Sequence, residues 1–279
     1  MATPHPVTPR NLELGKLGDG TRYWLGGDPA RTAFMNGLSI TFPEGERMFV
    51  DSVKPYREAI ADERLAADVR GFCGQEAIHA REHATFNDRL TEQGFPVGEL
   101  EDKIKARIAW VKAHFPQRHR LAVTCALEHF TAIMANQILS HPEYFEDADE
   151  EYRKLWLWHA LEETEHKAVA FDVYRNVAGG TYFERVRVMI LMTIMFNLRI
   201  FNHVRVLLKT DGLAGNLKLW AGLLWYLWGK PGFFRRCAKD YLDYFRPGFH
   251  PWDHDNGALA ESWKRRFEPP RAPLGAAAE

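Results

Sequence analysis

Residues 155–166 read LWLWHALEETEH, and this stretch of the sequence decides the class of fold. It lies within residues 149–178, which predict one long helix that ends before two consecutive glycines. In a helix, Glu163 and His166 are neighbours on one face because they are three positions apart. Residues 76–79, EAIH, repeat this Glu-x-x-His spacing in another predicted helix. The sequence therefore places a carboxylate beside an imidazole on two different helices.

The rest of the sequence predicts an all-α fold. Runs that alternate apolar and polar residues are scarce, and few Asn-Gly or Asp-Gly pairs indicate hairpins. The other helices are predicted over residues 44–60 with a break at Pro55, 62–94, 97–115, 117–140, 186–208, 217–228 and 233–244. This pattern predicts an irregular N-terminal arm over residues 1–40, a four-helix bundle over 41–180, a helical, apolar C-terminal extension that packs on the bundle over 181–260, and a disordered tail over 261–279.

Two more of the predicted helices each carry one candidate carboxylate, Glu46 (with Glu44 as its rival) and Glu128. The resulting order, Glu, Glu-x-x-His, Glu, Glu-x-x-His, is the pattern by which four-helix bundles hold two iron or manganese ions. The six predicted metal ligands are Glu46, Glu76, His79, Glu128, Glu163 and His166. The alternative is that these side chains are solvated on helix surfaces. Apolar residues around both paired motifs favour burial, and a buried carboxylate or imidazole needs a partner.

Two further histidines lie on the same helical faces as the paired motifs. His159 comes four residues before Glu163, and we predict it as a seventh ligand. The alternative for His159 is a hydrogen bond to a ligand instead of a bond to the metal. His83 comes four residues after His79 and is a further candidate ligand, one turn along the helix from the paired motif.

The motifs FPEGERMFV, GQEAIHAREH, ALEHFTA and WHALEETEHKAVAFDVY resemble those of a bacterial family of predicted metal-dependent hydrolases, from about Leu38 to the FHPWD segment near His250. Their ligand order also resembles the ferritin-like di-iron superfamily, which implies a ferritin-like four-helix bundle. The run His159, Glu163 and His166 is similar to that of the di-iron arylamine N-oxygenases, in which a third histidine joins the cluster. Outside the motifs no similarity to the N-oxygenases is apparent, so their substrate does not transfer.

The predicted function is O2-dependent oxidation of an apolar or amphipathic small molecule by two bound metal ions. Iron is the expected metal, with manganese and zinc as alternatives, and O2 is the expected co-substrate. Two metals could instead activate water for hydrolysis of an ester or phosphoester. Seven protein ligands leave little room for such a substrate, and no general acid stands out. Metal or O2 scavenging without catalysis is a second alternative.

The composition excludes other classes of protein. With 36 basic and 37 acidic residues, the chain has no surplus of positive charge for nucleic acid. Three isolated cysteines indicate a reduced, intracellular protein, and no signal peptide or apolar run of about 18 residues is evident. A cytoplasmic location is therefore expected.

The Trp-rich C-terminal segments have two interpretations. They could pack on the bundle. Alternatively they could form an amphipathic surface for a bilayer or a lipid-like substrate, since basic residues interrupt their apolar sequence. The second interpretation would place the protein at the inner face of a membrane. A homodimer and an electron donor of unknown identity are further expected partners.

Overall fold

The computed structural model describes residues 6–12 and 21–267. Within these residues the regular structure is helical, and a single isolated bridge between Leu25 and Ala148 is the extent of β-pairing. The α-helices are α1 (Pro29–Val53), α2 (Glu63–Glu92), α3 (Val97–His114), α4 (Gln117–Ser140), α5 (Glu150–His166), α6 (Val169–Asn176), α7 (Tyr182–Thr210), α8 (Leu217–Trp228), α9 (Phe233–Asp243) and α10 (Gly257–Phe267). The predicted all-α fold is confirmed.

Four helices enclose the interior that matters for function. Helix α1 packs against α2 and α4, and α5 packs against the same two helices, so the four form a closed ring of walls. The long helix α7 lies outside this ring against α1 and α4, and α9 also packs on α4. This arrangement agrees with a four-helix bundle carrying a helical extension, whereas the ferritin-like topology and the predicted domain limits remain predictions.

Helix α1 begins earlier than the sequence analysis predicted. The Asp28 carboxylate accepts hydrogen bonds from the backbone N–H groups of Ala30 and Arg31, and Pro29 suits the first helical position. Residues 29–40 are therefore helical and do not belong to an irregular arm. The helix continues past Pro43 and ends at Val53, just before the expected break near Pro55.

Two other predicted boundaries are also wrong. The helix predicted over residues 149–178 is divided at Lys167 and Ala168, where the Lys167 ammonium donates to the His254 carbonyl oxygen at 2.7 Å. Residues 261–267 belong to α10 and not to a disordered tail, because the buried Trp263 indole donates to the Leu139 carbonyl oxygen at 3.0 Å. The remainder of the predicted tail lies outside the described residues.

Helix α7 has two very different sides. Val188, Val204 and Leu207 are buried against the bundle, and the His203 imidazole donates to the Gly37 carbonyl oxygen at 3.0 Å. By length and composition α7 could cross a bilayer, contrary to the expectation that no segment is apolar enough. Its buried residues lie in two groups, within residues 184–189 and 200–208, which fits a helix that packs on the outside of the bundle at both ends.

Candidate metal centre

The ring of four helices brings all seven predicted ligands together in its interior. Each of these side chains is at most 4% exposed, and together they are Glu46 from α1, Glu76 and His79 from α2, Glu128 from α4, and His159, Glu163 and His166 from α5. The rival Glu44 points elsewhere and pairs with Arg47 at 2.5 Å. The sequence order of the motifs therefore becomes a spatial cluster.

The seven side chains form two subsites with a shared middle. Donor atoms that lie within 4.8 Å of one another define the groups Glu46–His79–His159, Glu76–His79–Glu163 and Glu76–Glu128–His166. The first and third groups have no residue in common, so they mark two separate positions for a cation. One Glu163 oxygen, Oε1, is 3.1 Å from His159 Nε2 and 3.5 Å from His166 Nε2, which places this carboxylate between the two positions.

Most donor atoms of the cluster make no hydrogen bond among the described residues, although the carboxylates and imidazoles lie within ion-pair distance of one another. Both carboxylate oxygens of Glu46, Glu76 and Glu128 are buried without a hydrogen bond, as are Glu163 Oε2, His79 Nδ1, His159 Nε2 and His166 Nε2. Buried polar atoms are normally paired, because an unpaired one retains its full cost of desolvation. The set is also the carboxylate and imidazole mixture that iron, manganese and zinc accept. The residues present therefore fit a pair of divalent cations.

The two paired-motif histidines are oriented by neighbours outside the cluster. His166 Nδ1 donates to Gln75 Oε1 at 2.9 Å, so its Nε2, which carries the lone pair in the neutral ring, faces Glu76 and Glu128. His79 is oriented in the opposite sense: its Nε2 donates to Glu162 Oε2 at 3.1 Å and its Nδ1 faces the cluster. Each hydrogen bond selects the tautomer whose lone pair is available to a metal.

Arg10, which sequence analysis missed, supports both of these histidines. Its guanidinium pairs with Glu165 at 2.6 and 2.8 Å, and its backbone N–H and side chain both bond Glu162 Oε1. Glu162 holds His79, while Glu165 accepts a hydrogen bond from Gln75 at 3.0 Å. One arginine thus stabilises the partners of the histidines on both helices.

The segment that carries Arg10 lies directly on α2 at two glycines. A Cβ at Gly71 would come within 2.1 Å of the Val7 carbonyl oxygen, and one at Gly74 would come within 2.5 Å of Pro9. The sequence held one indirect signal for this contact. Glu162 and Glu165 belong to a helix that is buried on several sides, and a second pair of carboxylates there requires a cation nearby.

His83 belongs to a chain of hydrogen bonds behind His159 and lies outside the three ligand groups. The Ser39 hydroxyl donates to Asn87 Oδ1 at 2.9 Å, so Ser39 Oγ must accept from His83 Nδ1, also at 2.9 Å. His83 Nε2 then accepts from His159 Nδ1 at 2.9 Å. His159 Nε2 is left with its lone pair facing the cluster, as a ligand requires. The prediction of His83 as a metal ligand is thus not supported by the geometry.

A proline inside α1 fixes the far end of this chain. Pro43 has no N–H group to bond the carbonyl oxygen of Ser39, four residues earlier in the helix. That oxygen accepts instead from Asn87 Nδ2 at 3.2 Å, which orients the Asn87 amide so that Oδ1 faces the Ser39 hydroxyl. The helix defect therefore helps to set the tautomer of His159.

The electrostatics of the cluster favour a cation. Burial, followed by repulsion from neighbouring carboxylates, raises the pKa values of Glu46 and Glu128 well above their ordinary range. Burial also raises the pKa of Glu76 to about 7. Burial would lower the pKa of His166, but Glu163 and Glu128 outweigh it and raise this pKa well above its usual value. Without metal the cluster holds extra protons, which bound cations would replace.

A family model described as predicted metal-dependent hydrolase matches residues 8–255, which covers nearly all of the elements described above. The chain belongs to this family. The match confirms the resemblance noted from the four sequence motifs, and it includes the segment around Arg10 as well as the seven clustered side chains. No curated protein and no solved structure matches the chain, so the similarity to ferritin-like di-iron proteins stays a prediction.

Proposed function

We propose that this member of the family is a two-metal hydrolase that cleaves an ester bond in an apolar or amphipathic small molecule. The observation that carries the proposal is the set of buried donor atoms that make no hydrogen bond, divided into two subsites with Glu163 between them. The family description agrees with hydrolysis, which the sequence analysis held only as the alternative. Zinc, manganese and iron all suit the donor set.

The residues of the centre divide the work between them. Glu46, His79 and His159 would hold one cation, and Glu76, Glu128 and His166 would hold the other, with Glu163 facing both. Two such ions, when bound, supply an activated water molecule and a positive charge for the developing oxyanion. The protein contributes fixed donor orientations and a buried site.

The walls of a small cavity and of a larger cleft near the centre support an apolar substrate. A cavity of about 20 Å³ touches His159 and Glu163, and the rest of its wall consists of Met35, Leu38, Phe42, Thr131, Met134, Ala135, Ile138, Trp156, Ala160 and Phe233. Met134 also lines a larger apolar cleft of about 140 Å³ that opens between α4, α7 and α9. We infer that an apolar group enters by the cleft and passes Met134. A wall without Lys or Arg favours a carboxylic ester over a charged phosphoester.

Oxidation with O2 is a second candidate, and one observation favours it. The wall of the inner cavity offers no acid to protonate a leaving group apart from His159 and Glu163 themselves. Three imidazole donors with four carboxylates also suit iron, as the sequence analysis expected. In that case the same apolar cleft would admit a substrate for oxidation.

Separate assays on one preparation distinguish the two reactions. Metal-free protein is loaded with zinc, manganese or ferrous iron, and hydrolysis of nitrophenyl esters of increasing acyl length is followed beside O2 uptake. Hydrolysis by the zinc form that is lost in Glu163→Gln, but kept in the exposed control Glu146→Gln, is the expected result. Sustained O2 uptake by the ferrous form without any ester cleavage would favour oxidation instead. If no metal form showed either activity, the proposal that the protein is an enzyme would be overturned.

A further inference from the structure

The outer side of α7 is an apolar stripe that nothing in the described chain covers. Phe183, Ile190, Ile194 and Leu198 are between 50% and 82% exposed, and their spacing of four or seven residues places them along one line of the helix. Exposed apolar residues scattered singly are normal, whereas a continuous stripe indicates a binding surface.

Helix α8 continues the apolar surface with tryptophans. Leu217, Leu224, Trp225 and Trp228 are between 48% and 80% exposed and again share one side of their helix. Trp228 also lines the cleft between α4, α7 and α9, together with residues that precede exposed Ile194 and Leu198. The stripe on α7 and the tryptophans of α8 therefore border the same cleft, and we call them together the α7–α8 face.

The region that carries the α7–α8 face is strongly cationic. Residues 182–246 contain eleven Lys and Arg against four Asp and Glu, although the whole chain has a net charge of −1. Arg187 and Arg205 are exposed on the α7 stripe itself, on either side of its most apolar part. All four acids already contact a basic side chain: Glu184 contacts Arg118, Asp211 contacts Arg22, and both Asp240 and Asp243 contact His254.

We propose that the α7–α8 face docks on an anionic lipid surface, with α7 lying in the plane of the interface. An anionic bilayer offers hydrocarbon to the apolar stripe and negative headgroups to the arginines, which can extend their charged ends along it. Tryptophan is a typical residue at this boundary. A second copy of the chain is a poor occupant, because a two-fold dimer through this face would bring two cationic surfaces together.

The cleft between α4, α7 and α9 provides a functional reason for docking on lipid. Trp228 belongs both to the α7–α8 face and to the wall of the cleft, so an apolar molecule dissolved in the lipid could pass from the docked face into the protein. Docking itself involves no residue of the metal centre. The proposal therefore stands or falls independently of the hydrolytic function.

Vesicle binding by the full-length protein tests the proposal. Co-sedimentation is measured with vesicles of phosphatidylcholine alone and with vesicles that also contain phosphatidylglycerol. We expect binding to the anionic vesicles that weakens with salt, and Arg205→Glu should weaken it about fivefold or more. The double variant Leu198→Ser, Trp225→Ser should also weaken it, while the exposed basic control Arg64→Glu on α2 should not.

Circular dichroism and metal content of each variant show whether the fold is kept. Equal absence of binding to both vesicle types by the folded wild-type protein would overturn the proposal. So would a wild-type dimer that dissociates in the Leu198→Ser, Trp225→Ser variant, since the face would then be an interface between copies. Binding that survives alkaline carbonate extraction would contradict it as well, because a helix that crosses the bilayer resists such extraction.

Discussion

Helices α5 and α7 both reverse the usual placement of polar and apolar side chains, but in opposite directions. Helix α5 buries Glu162, Glu163 and Glu165 at no more than 2% exposure. Helix α7 exposes Ile194 by 54% and Leu198 by 64%. The first helix places charge where hydrocarbon is expected, and the second places hydrocarbon where charge is expected.

The two reversals differ in cost, and this difference shows what each needs. A buried charge without a partner costs several kcal/mol, at the order of magnitude, whereas an exposed leucine costs the fold almost nothing. Helix α5 is therefore tolerable only with an elaborate network and a cation. Helix α7 is stable without a partner. An exposed stripe is therefore a weaker indication of binding than a buried cluster of charge.

The largest expected effect is the loss of metal affinity when Glu128 of α4, which faces α5, is replaced. Glu128→Gln keeps the shape of the side chain but removes a charged donor, and we expect metal affinity to fall by more than about 100-fold, beyond the loss typical of outer partners. The same variant should leave the metal-free protein as stable as wild type or more stable, because a costly buried carboxyl group is gone. Competition with a chelator and urea unfolding measure the two effects. If the variant bound metal normally, Glu128 would not be a ligand.

The second prediction contrasts the two sides of α7. Leu207→Ala should lower the free energy of unfolding by about 2–5 kcal/mol, because Leu207 is buried against the bundle. Leu198→Ala should change it by less than about 0.5 kcal/mol. Urea denaturation of both variants and wild type makes the comparison. A cost for Leu198→Ala as large as that for Leu207→Ala would mean that the stripe is covered within the protein itself.

The third prediction concerns the arginine that supports α5 from outside the cluster. Arg10→Ala should reduce metal affinity by about 10–100-fold, because Glu162 and Glu165 lose the cation that holds them and both histidines become less fixed. Arg10→Lys should recover part of the loss, since it restores charge without the paired geometry. The matched control is Arg81→Ala, a half-exposed arginine that pairs with Glu82. Unchanged metal affinity in Arg10→Ala would show that Arg10 does not help to orient the ligand histidines.

The smallest expected effect is the pH dependence of the buried side of α7. Burial lowers the pKa of His203 to about 4, whereas the unfolded residue has a pKa of about 6.5. Between these two pKa values His203 binds a proton in the unfolded chain but not in the folded chain. The free energy of unfolding therefore falls as the pH drops below about 6.5. Between about pH 7.5 and 5.5 this residue should account for a loss of about 1 kcal/mol. Urea unfolding of His203→Gln at both pH values should show a correspondingly smaller loss than wild type, and an equal loss would refute the assignment.

The sequence was sufficient to predict the all-α class, most of the helices and the clustering of the seven side chains, but it missed the start of α1, the division after α5 and helix α10. Helical spacing fixes which residues share a face, so Glu163, His166 and His159 could be placed together from their positions in the chain. The order of four motifs then indicated four walls. What the spacing could not distinguish was His83, because its distance along α2 depends on the packing of α1, where Pro43 and Ser39 direct it to a hydrogen bond.

The contribution of Arg10 lay beyond local reasoning. Its segment has no helical periodicity, and its contacts join residues more than 150 positions apart. The start of α1 was missed for a different reason: the capping by Asp28 was outweighed by the Pro and Gly content of the surrounding residues. The contacts of Arg10, unlike the Asp28 cap, appear only when distant segments are packed together.

Metal analysis of the purified protein, combined with anomalous diffraction from its crystals, tests the central claim most directly. We expect about two ions per chain, one beside Glu46, His79 and His159 and the other beside Glu76, Glu128 and His166. A protein that takes up no metal on titration would contradict the claim. Metal found instead at the partly exposed group of Asp240, Asp243 and His254 would contradict it equally.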